Sequence, residues 1–348
     1  STAAMAMGDG LELLRLVREG RPAMAERLGQ PVYRGSQIAQ WVFEKGISDP
    51  EAMSNLPKSL RAALAERVCP LGPRILERVG DVAAEKLLVQ VADGDAVECV
   101  AMERPWGLSV CVSSQLGCPV GCRFCASGRH GLKRNLAGEE IAGQVLAAAL
   151  ERRVPQHVVL MGEPLLNLEG VLDALCLLCD GKAYSIPERS ITLSTVGWVK
   201  GIERLAASGR RVRLAVSVHA ADPALRATLI PRQPDPLPAV VAAAKRYEEA
   251  SGRRVTYEYT LLAGVNDGTE HGTQLAELIG RGAHVNLIGV NPVEGGAYAA
   301  PHAQGTARFG EVLEGRGVNV TVRRSAGGDA DAACGQLRAR WVQRNNMG

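Results

Sequence analysis

The stretch Leu108–Cys125, "LSVCVSSQLGCPVGCRFC", decides the fold. Its first seven residues read as a β-strand, and its tail sets Cys118, Cys122 and Cys125 in a C-x3-C-x2-C spacing directly after that strand. Downstream, short β-branched runs alternate with segments of helical periodicity. The runs are "HVVLM", "ITLST", "LAVSV", "TYEYTLL", "HVNLIGV" and "VNVTVR"; the helical segments cover 138–153, 168–180, 198–207, 236–250, 269–279 and 304–315. That alternation predicts a parallel sheet flanked by helices. No GxGxxG follows the first strand, so the expected class is α/β, a partial (β/α)6 barrel and not a dinucleotide fold.

Upstream, "GLELLRLVREG", "SQIAQWVFEKG" and "SLRAALAERV" carry helical spacing punctuated by Gly and Pro, which predicts a small helical domain over 1–70. "RILERV" and "KLLVQVADGDAVECVAM", with Asp93-Gly94 as a turn signal, predict a short β-meander over 71–103. The barrel is expected over 104–348. The 348 residues include 46% hydrophobic residues, enough for a sizeable core. No run has the unbroken apolar length of a membrane span, and the start lacks the pattern of a secretion signal, so no membrane partner and a cytoplasmic location are expected. In that compartment thiols stay reduced, and nine cysteines point to metal or catalysis ahead of disulfides. A net charge of +3 does not by itself announce nucleic-acid binding. Basic residues nevertheless gather at Arg129-His130-Lys133-Arg134 and Arg323-Arg324, either as solvated faces or as phosphate contacts.

In β/α barrels chemistry collects at the carboxyl ends of the strands. Those ends carry the three cysteines, then Gly162-Glu163, Ser194, Ser217 with His219, and Asn291. A structural zinc site wants four ligands, usually from paired knuckles; the other C-x2-C, Cys176-Leu-Leu-Cys179, invites a metal reading by its spacing, but its helical, Leu-rich setting favours core. Three thiolates suit a four-iron four-sulfur (4Fe-4S) cluster with one iron left open, on which S-adenosylmethionine (SAM) can bind. Zinc completed by a distant cysteine is the competing reading. Cys69, Cys99, Cys176 and Cys179 sit in apolar runs and read as buried small hydrophobes. Trp41, Trp106 and Trp198 are the conspicuous aromatics, each expected to be half-buried packing.

"CVSSQLGCPVGCRFCASG", "GLKRNL", "GEPLLN", "LAVSVHA", "GVNDGTEH", "HVNLIGVNP" and "GDADAACGQL" together resemble the RlmN/Cfr family of radical-SAM RNA methyltransferases. "VYRGSQIAQWVFEKG" with "MSNLPKSLR" is similar to that family's amino-terminal domain, and the resemblance covers nearly the whole chain in order. It implies methylation of an adenine ring carbon in RNA, with a 4Fe-4S cluster and two SAM molecules per turnover. An amidine carbon is electron-poor and cannot attack the electrophilic methyl of SAM, so a radical route is needed. By the family's pattern Cys334 is methylated first, as a thiolate nucleophile. Hydrogen abstraction from its S-methyl group yields a methylene radical that adds to the adenine. Glu98 then matches the proton acceptor, and Cys111 attacks Cys334 to form a disulfide and free the product. Apart from the family match, Glu98 reads as an exposed strand carboxylate. The resemblance assigns Cys118, Cys122 and Cys125 to the cluster, and Gly162, Glu163, Ser194, Ser217, Val218, His219 and Asn291 to SAM. It further implies 23S ribosomal RNA as substrate, with tRNA a second, a flavodoxin-type reductant, and a monomer.

Two departures stand out. Relatives read Gly-Met-Gly-Glu-Pro after the second barrel strand, where this chain has "VVLMGEPLLN", two residues shorter; and "IPRQPDPLP" replaces the usual "PIN" stretch. C2 methylation of 23S ribosomal RNA is the first expectation and Cfr-like C8 methylation, with ribosomal antibiotic resistance, the second. Behind these stand a paralogue acting on a small molecule and a non-catalytic iron-sulfur RNA-binding protein.

Overall fold

The computed structural model describes residues 10–67, 71–81, 83–128, 131–290, 297–323 and 336–346. The amino-terminal periodicity becomes α1 (Glu12–Glu19), α2 (Arg21–Leu28), α3 (Val32–Ala39) and α4 (Lys58–Arg67). Leu13, Leu14, Met24, Ile38, Leu60 and Leu64 are its buried stripe. Gly20 closes α1 and Pro22 opens α2, the order expected from Gly's freedom at helix ends and Pro's missing N–H.

Next come β1 (Ile75–Gly80), β2 (Ala84–Gln90), β3 (Ala96–Arg104) and β4 (Gly107–Ser113), each antiparallel to the one before. Asp93-Gly94 turns β2 into β3, with Gly94 at φ 84°. A hairpin of β5 (Gln115–Gly117) and β6 (Leu132–Asn135) brackets the cysteine loop. The β/α run follows as α5 (Gly138–Ala149), β7 (His157–Met161), α6 (Leu168–Cys179), β8 (Ile191–Thr195), α7 (Val199–Ala207) and β9 (Arg213–Ser217). It continues through α8 (Pro223–Leu229), α9 (Leu237–Ser251), β10 (Thr256–Leu261), α10 (Thr269–Ile279), β11 (His284–Gly289), α11 (Ala303–Glu314), β12 (Asn319–Arg323) and α12 (Gln336–Asn346). The helix expected to reach residue 153 stops at 149, because Leu150 turns to extended backbone and Glu151 takes a left-handed φ of 61°. Among the described residues no helix is long and apolar enough to cross a membrane.

The chain divides into two compact units, residues 1–114, 136–158 and 169–190 in the first and 115–135, 159–168 and 191–348 in the second. In the first, α5 is buried all round and supplies partners for the backbone near it. Gln144 reaches Ser113 with both ends of its amide, accepting from the N–H at 2.7 Å and donating to the carbonyl at 2.8 Å. The carboxylate of Glu140 accepts N–H groups from Ala92 at 3.0 Å and Ala137 at 2.9 Å. These bonds answer the requirement that buried polar groups be paired.

In the second unit β7, β8, β9, β10, β11 and β12 lie in chain order, and the β8–β9, β9–β10, β10–β11 and β11–β12 pairs are parallel. Tyr257, Tyr259 and Leu261 alternate as buried positions with the half-buried Thr256, Glu258 and Thr260. Register sets Ser217, Glu258, Asn286 and Thr321 in one polar row across four strands. The amide of Asn286 donates to Glu258 at 2.7 Å within that row.

Candidate functional site

The cysteine loop is shaped by glycines at two points. Gly117 has φ 85°, and a Cβ there would meet the Gly131 carbonyl oxygen at 1.9 Å, so the β5–β6 hairpin admits no side chain. Gly121, at φ 72°, lets the loop curl until the N–H groups of Val120 and Gly121 both point at the Cys118 sulfur. Cys118 N–H donates to Gly131 at 3.0 Å, and Cys125 N–H to the Cys122 carbonyl at 3.1 Å. Between the last two cysteines, Arg123 anchors the loop to the end of α8. Its N–H donates to the Leu229 carbonyl at 3.0 Å and its guanidinium to the Thr228 carbonyl at 3.1 Å. Carbonyls at a helix end need such partners.

Cys118 and Cys122 pack with Val120, Phe124, Val196, Ala220, Leu225, Leu229, Ile230 and Leu262. Burial pushes the Cys118 thiol up to about 12, against the pull of the two N–H groups, and pushes Cys122 higher. Thiols so placed ionise when a metal takes the proton's place. Among the described residues no three His, Cys, Asp or Glu side chains are spaced around one metal ion. A cluster takes one thiolate per iron and needs no such convergence. Three sulfur donors from one loop, two backbone N–H groups on a sulfur, and an apolar surround fit an iron-sulfur cluster.

Around the loop, the carboxyl ends of β7, β8 and β9 contribute a linked set of groups. Gly162 turns at φ 88° and Glu163 N–H donates to Gln115 at 3.0 Å. The shortened "MGEP" stretch thus passes from β7 directly into the 3-10 turn Pro164–Asn167. The fully buried Glu163 carboxylate accepts the Thr195 hydroxyl and, at 2.8 Å, the Val196 N–H. Burial raises its pKa to about 7, offset by these donors and by Arg226. Ser194 stands half-buried on β8, one residue before Thr195. Ser217 ends β9, and Val218 is fully buried, its N–H given to the Glu258 carbonyl at 2.9 Å.

His219 adopts a left-handed φ of 59°, which costs a non-glycine residue about 1–2 kcal/mol. Asn266 holds it there, donating to the His219 carbonyl at 2.7 Å and to the Thr260 carbonyl at 2.8 Å. The Thr260 N–H donates to His219 Nδ1 at 2.9 Å, which leaves the neutral ring's proton on Nε2 as a donor. Burial and the nearby Arg226 lower its pKa to about 3, so the ring stays neutral. Phe124, from the cysteine loop, meets the ring edge-on at 4.8 Å between centroids.

The structure therefore brings Cys118, Cys122 and Cys125 together with Glu163 and His219. Thr195, Arg226, Gln115 and Asn266 complete that network without having been singled out in the sequence, although Gln115 lies inside "CVSSQLGC", Thr195 ends "ITLST" and Asn266 lies inside "GVNDGTEH". The variant "IPRQPDPLP" segment has internal uses: Gln233 accepts from Arg226, and Asp235 accepts the Val199 N–H at 2.8 Å where α7 begins.

Glu98 and Cys111 belong to the first unit. Register pairs Cys111 with Val100, and Glu98 lies two residues from Val100 on β3, so both side chains occupy one face of the antiparallel sheet. The expectation of an exposed strand carboxylate is overturned: Glu98 is 3% exposed, with the buried Lys86 ammonium 3.9 Å away. Two further expectations need correction. Cys99 is buried as expected, but Cys176 and Cys179 are only half-buried on α6. Trp41 and Trp198 are half-buried, whereas Trp106 is 58% exposed because it caps the β3–β4 turn. Cys334, Asn291, Cys69, Arg129, His130 and Arg324 lie outside the described residues.

Comparison with known proteins matches residues 112–275 to the Radical SAM superfamily and residues 11–69 to the ribosomal RNA large subunit methyltransferase N-terminal domain. A probable dual-specificity RNA methyltransferase RlmN from Symbiobacterium thermophilum is 47% identical over 92% of this chain and 89% of its own length. One of the same name from Thermosynechococcus vestitus is 45% identical over 91% and 95%. The crystal structure of a radical SAM methyltransferase from Sphaerobacter thermophilus superposes with a TM-score of 0.82 at 41% identity, covering 91% of this chain and 96% of that one.

Proposed function

We propose that this chain, which belongs to the RlmN family of radical-SAM RNA methyltransferases, methylates C2 of an adenosine in 23S ribosomal RNA and acts on tRNA as well. It has the radical-SAM fold, and its cofactors are a 4Fe-4S cluster and SAM. The observation that carries the reading is near-full-length similarity to proteins named RlmN, including the amino-terminal domain that a small substrate would not require. Their dual-specificity name supports a second RNA substrate.

Cys118, Cys122 and Cys125 hold the cluster; Gly162, Glu163, Ser194, Ser217, Val218, His219 and Asn291 surround SAM. When bound, cluster and SAM supply the radical chemistry that an electron-poor ring carbon requires. Cys334 carries the methyl group as a thioether, Glu98 takes the proton that leaves the adenine carbon, and Cys111 releases the product by attacking the Cys334 sulfur. Residues 1–70 serve RNA binding, 71–103 form a β extension, and 104–348 carry the catalytic part. Mass analysis of nucleosides from cells with and without the protein tests the regiochemistry. Loss of 2-methyladenosine is expected; loss of 8-methyladenosine would replace this reading with the C8 one.

RNA contact also has an electrostatic expectation. Lys133 is exposed and Arg134 half-buried on β6, beside the cysteine loop in sequence. Reversing both charges to Glu should weaken RNA binding and flatten the dependence of log affinity on log salt by about 1 for each phosphate that is no longer neutralised. Filter binding over a salt series measures it; an unchanged slope removes this strand from the RNA surface.

A further inference from the structure

Arg226 is a charged residue that none of the assigned roles uses, and it is 1% exposed. It sits on α8, the helix whose last carbonyls receive Arg123 from the middle of the cysteine loop. Its Nε donates to the Val218 carbonyl at 3.1 Å; one terminal nitrogen donates to Val196 at 2.8 Å and Ser217 at 3.1 Å; the other donates to Gln233. Glu163 accepts the N–H of Val196, so carboxylate and guanidinium grip the two sides of one residue. Helix α8 also presents Leu225 and Leu229 to the apolar cluster that contains Cys118 and Cys122. The residue its guanidinium holds, Val196, belongs to the same apolar cluster, which sets the buried cation one residue behind the packing of the cysteine loop.

Five donors are more than the backbone geometry demands. A neutral amide or two could close these carbonyls, and burying a cation carries a desolvation cost. What a fixed buried cation adds is a field. A cluster on three thiolates carries net negative charge, and more of it when reduced; net charge and hydrogen bonding set such potentials.

We propose that Arg226 is a positioning residue whose permanent charge, on the helix that anchors the cysteine loop, favours one-electron reduction of the cluster while its fork fixes the Val196, Ser217 and Val218 carbonyls. The electron comes from a low-potential one-electron donor and enters the cluster; no bond forms or breaks at Arg226, which keeps its proton. The proposal rests on the reading of the three cysteines as cluster ligands.

The test is a redox titration of anaerobically reconstituted full-length protein, with dithionite and mediators, followed by electron paramagnetic resonance. Wild type is compared with Arg226→Lys, Arg226→Gln and Arg226→Met. The lysine variant keeps the charge and should titrate with wild type. The two neutral variants should show about a tenfold smaller equilibrium constant for reduction, or about 59 mV for a one-electron couple. A merely structural role would lower thermal stability in all three without making the potential follow the charge, and that result overturns the proposal. If the neutral variants hold no iron while the lysine variant does, the charge is needed at the centre and the proposal stands; if the lysine variant also holds none, it falls. Absence of iron from wild type instead removes the underlying reading of the cysteines.

Discussion

Cys334→Ala is expected to lower RNA methylation by roughly a thousandfold or more while leaving iron content and reductive SAM cleavage intact. The reason is chemical. In the mechanism proposed above, an adenine ring carbon flanked by nitrogens has no lone pair to offer a sulfonium methyl, and the one-carbon unit is first placed on Cys334. Only the thiolate form can accept it. The same substitution should remove one methyl from the mass of the purified protein. Liquid chromatography with mass detection reads both outcomes, on the intact chain and on digested RNA. Methylation that survives the change would show that Cys334 is not the carrier, and a small loss shared with SAM cleavage would show that the substitution damaged the cluster.

Cys111→Ala should have the opposite signature: RNA becomes trapped on the protein. In the proposed mechanism the carbon attached to adenine is still bound to the Cys334 sulfur, and release falls to a second thiol that takes that sulfur. Cys111 stands on β4 opposite Val100, sharing a sheet face with the buried Glu98. Denaturing gels should show a covalent protein–RNA species, with free methylated product reduced by at least about a hundredfold. The species should vanish when Cys334 is replaced as well. Normal turnover with no retarded band would assign release to another group.

Much of the architecture was readable because periodicity is a local property. "HVVLM" and "ITLST" became β7 and β8 with the same bounds, and the helices over 168–180 and 269–279 fall within one residue of α6 and α10. The hairpin of β5 and β6 was not, since three residues on one side and "LKRN" on the other carry no alternation. Helix α8 was hidden for a related reason: seven residues give less than two full turns of pattern, and its Asp222 cap with Pro223 was the available signal. The cysteines announced themselves by spacing. Arg226 and Glu98 could not, because the burial of a charge is decided by partners remote in sequence: the carbonyls of Val196, Ser217 and Val218 for one, Lys86 for the other. A strand carboxylate without a visible partner is expected at the surface, and Lys86 on the neighbouring strand is what reverses that expectation.

The burial of the Cys118 and Cys122 thiols also has a practical corollary. Without iron both are protonated at neutral pH, so with these two as the proposed cluster ligands assembly should release protons and slow as pH falls. Stopped-flow absorbance during reconstitution from about pH 6 to about pH 9 reads this directly.

The most direct measurement is iron and sulfide content of the anaerobically reconstituted chain, taken together with the fate of SAM under dithionite. About four irons per chain and formation of 5′-deoxyadenosine are expected from three thiolates on a cluster with one open iron. A chain that takes up zinc in place of iron and returns its SAM uncleaved would contradict the assignment of Cys118, Cys122 and Cys125.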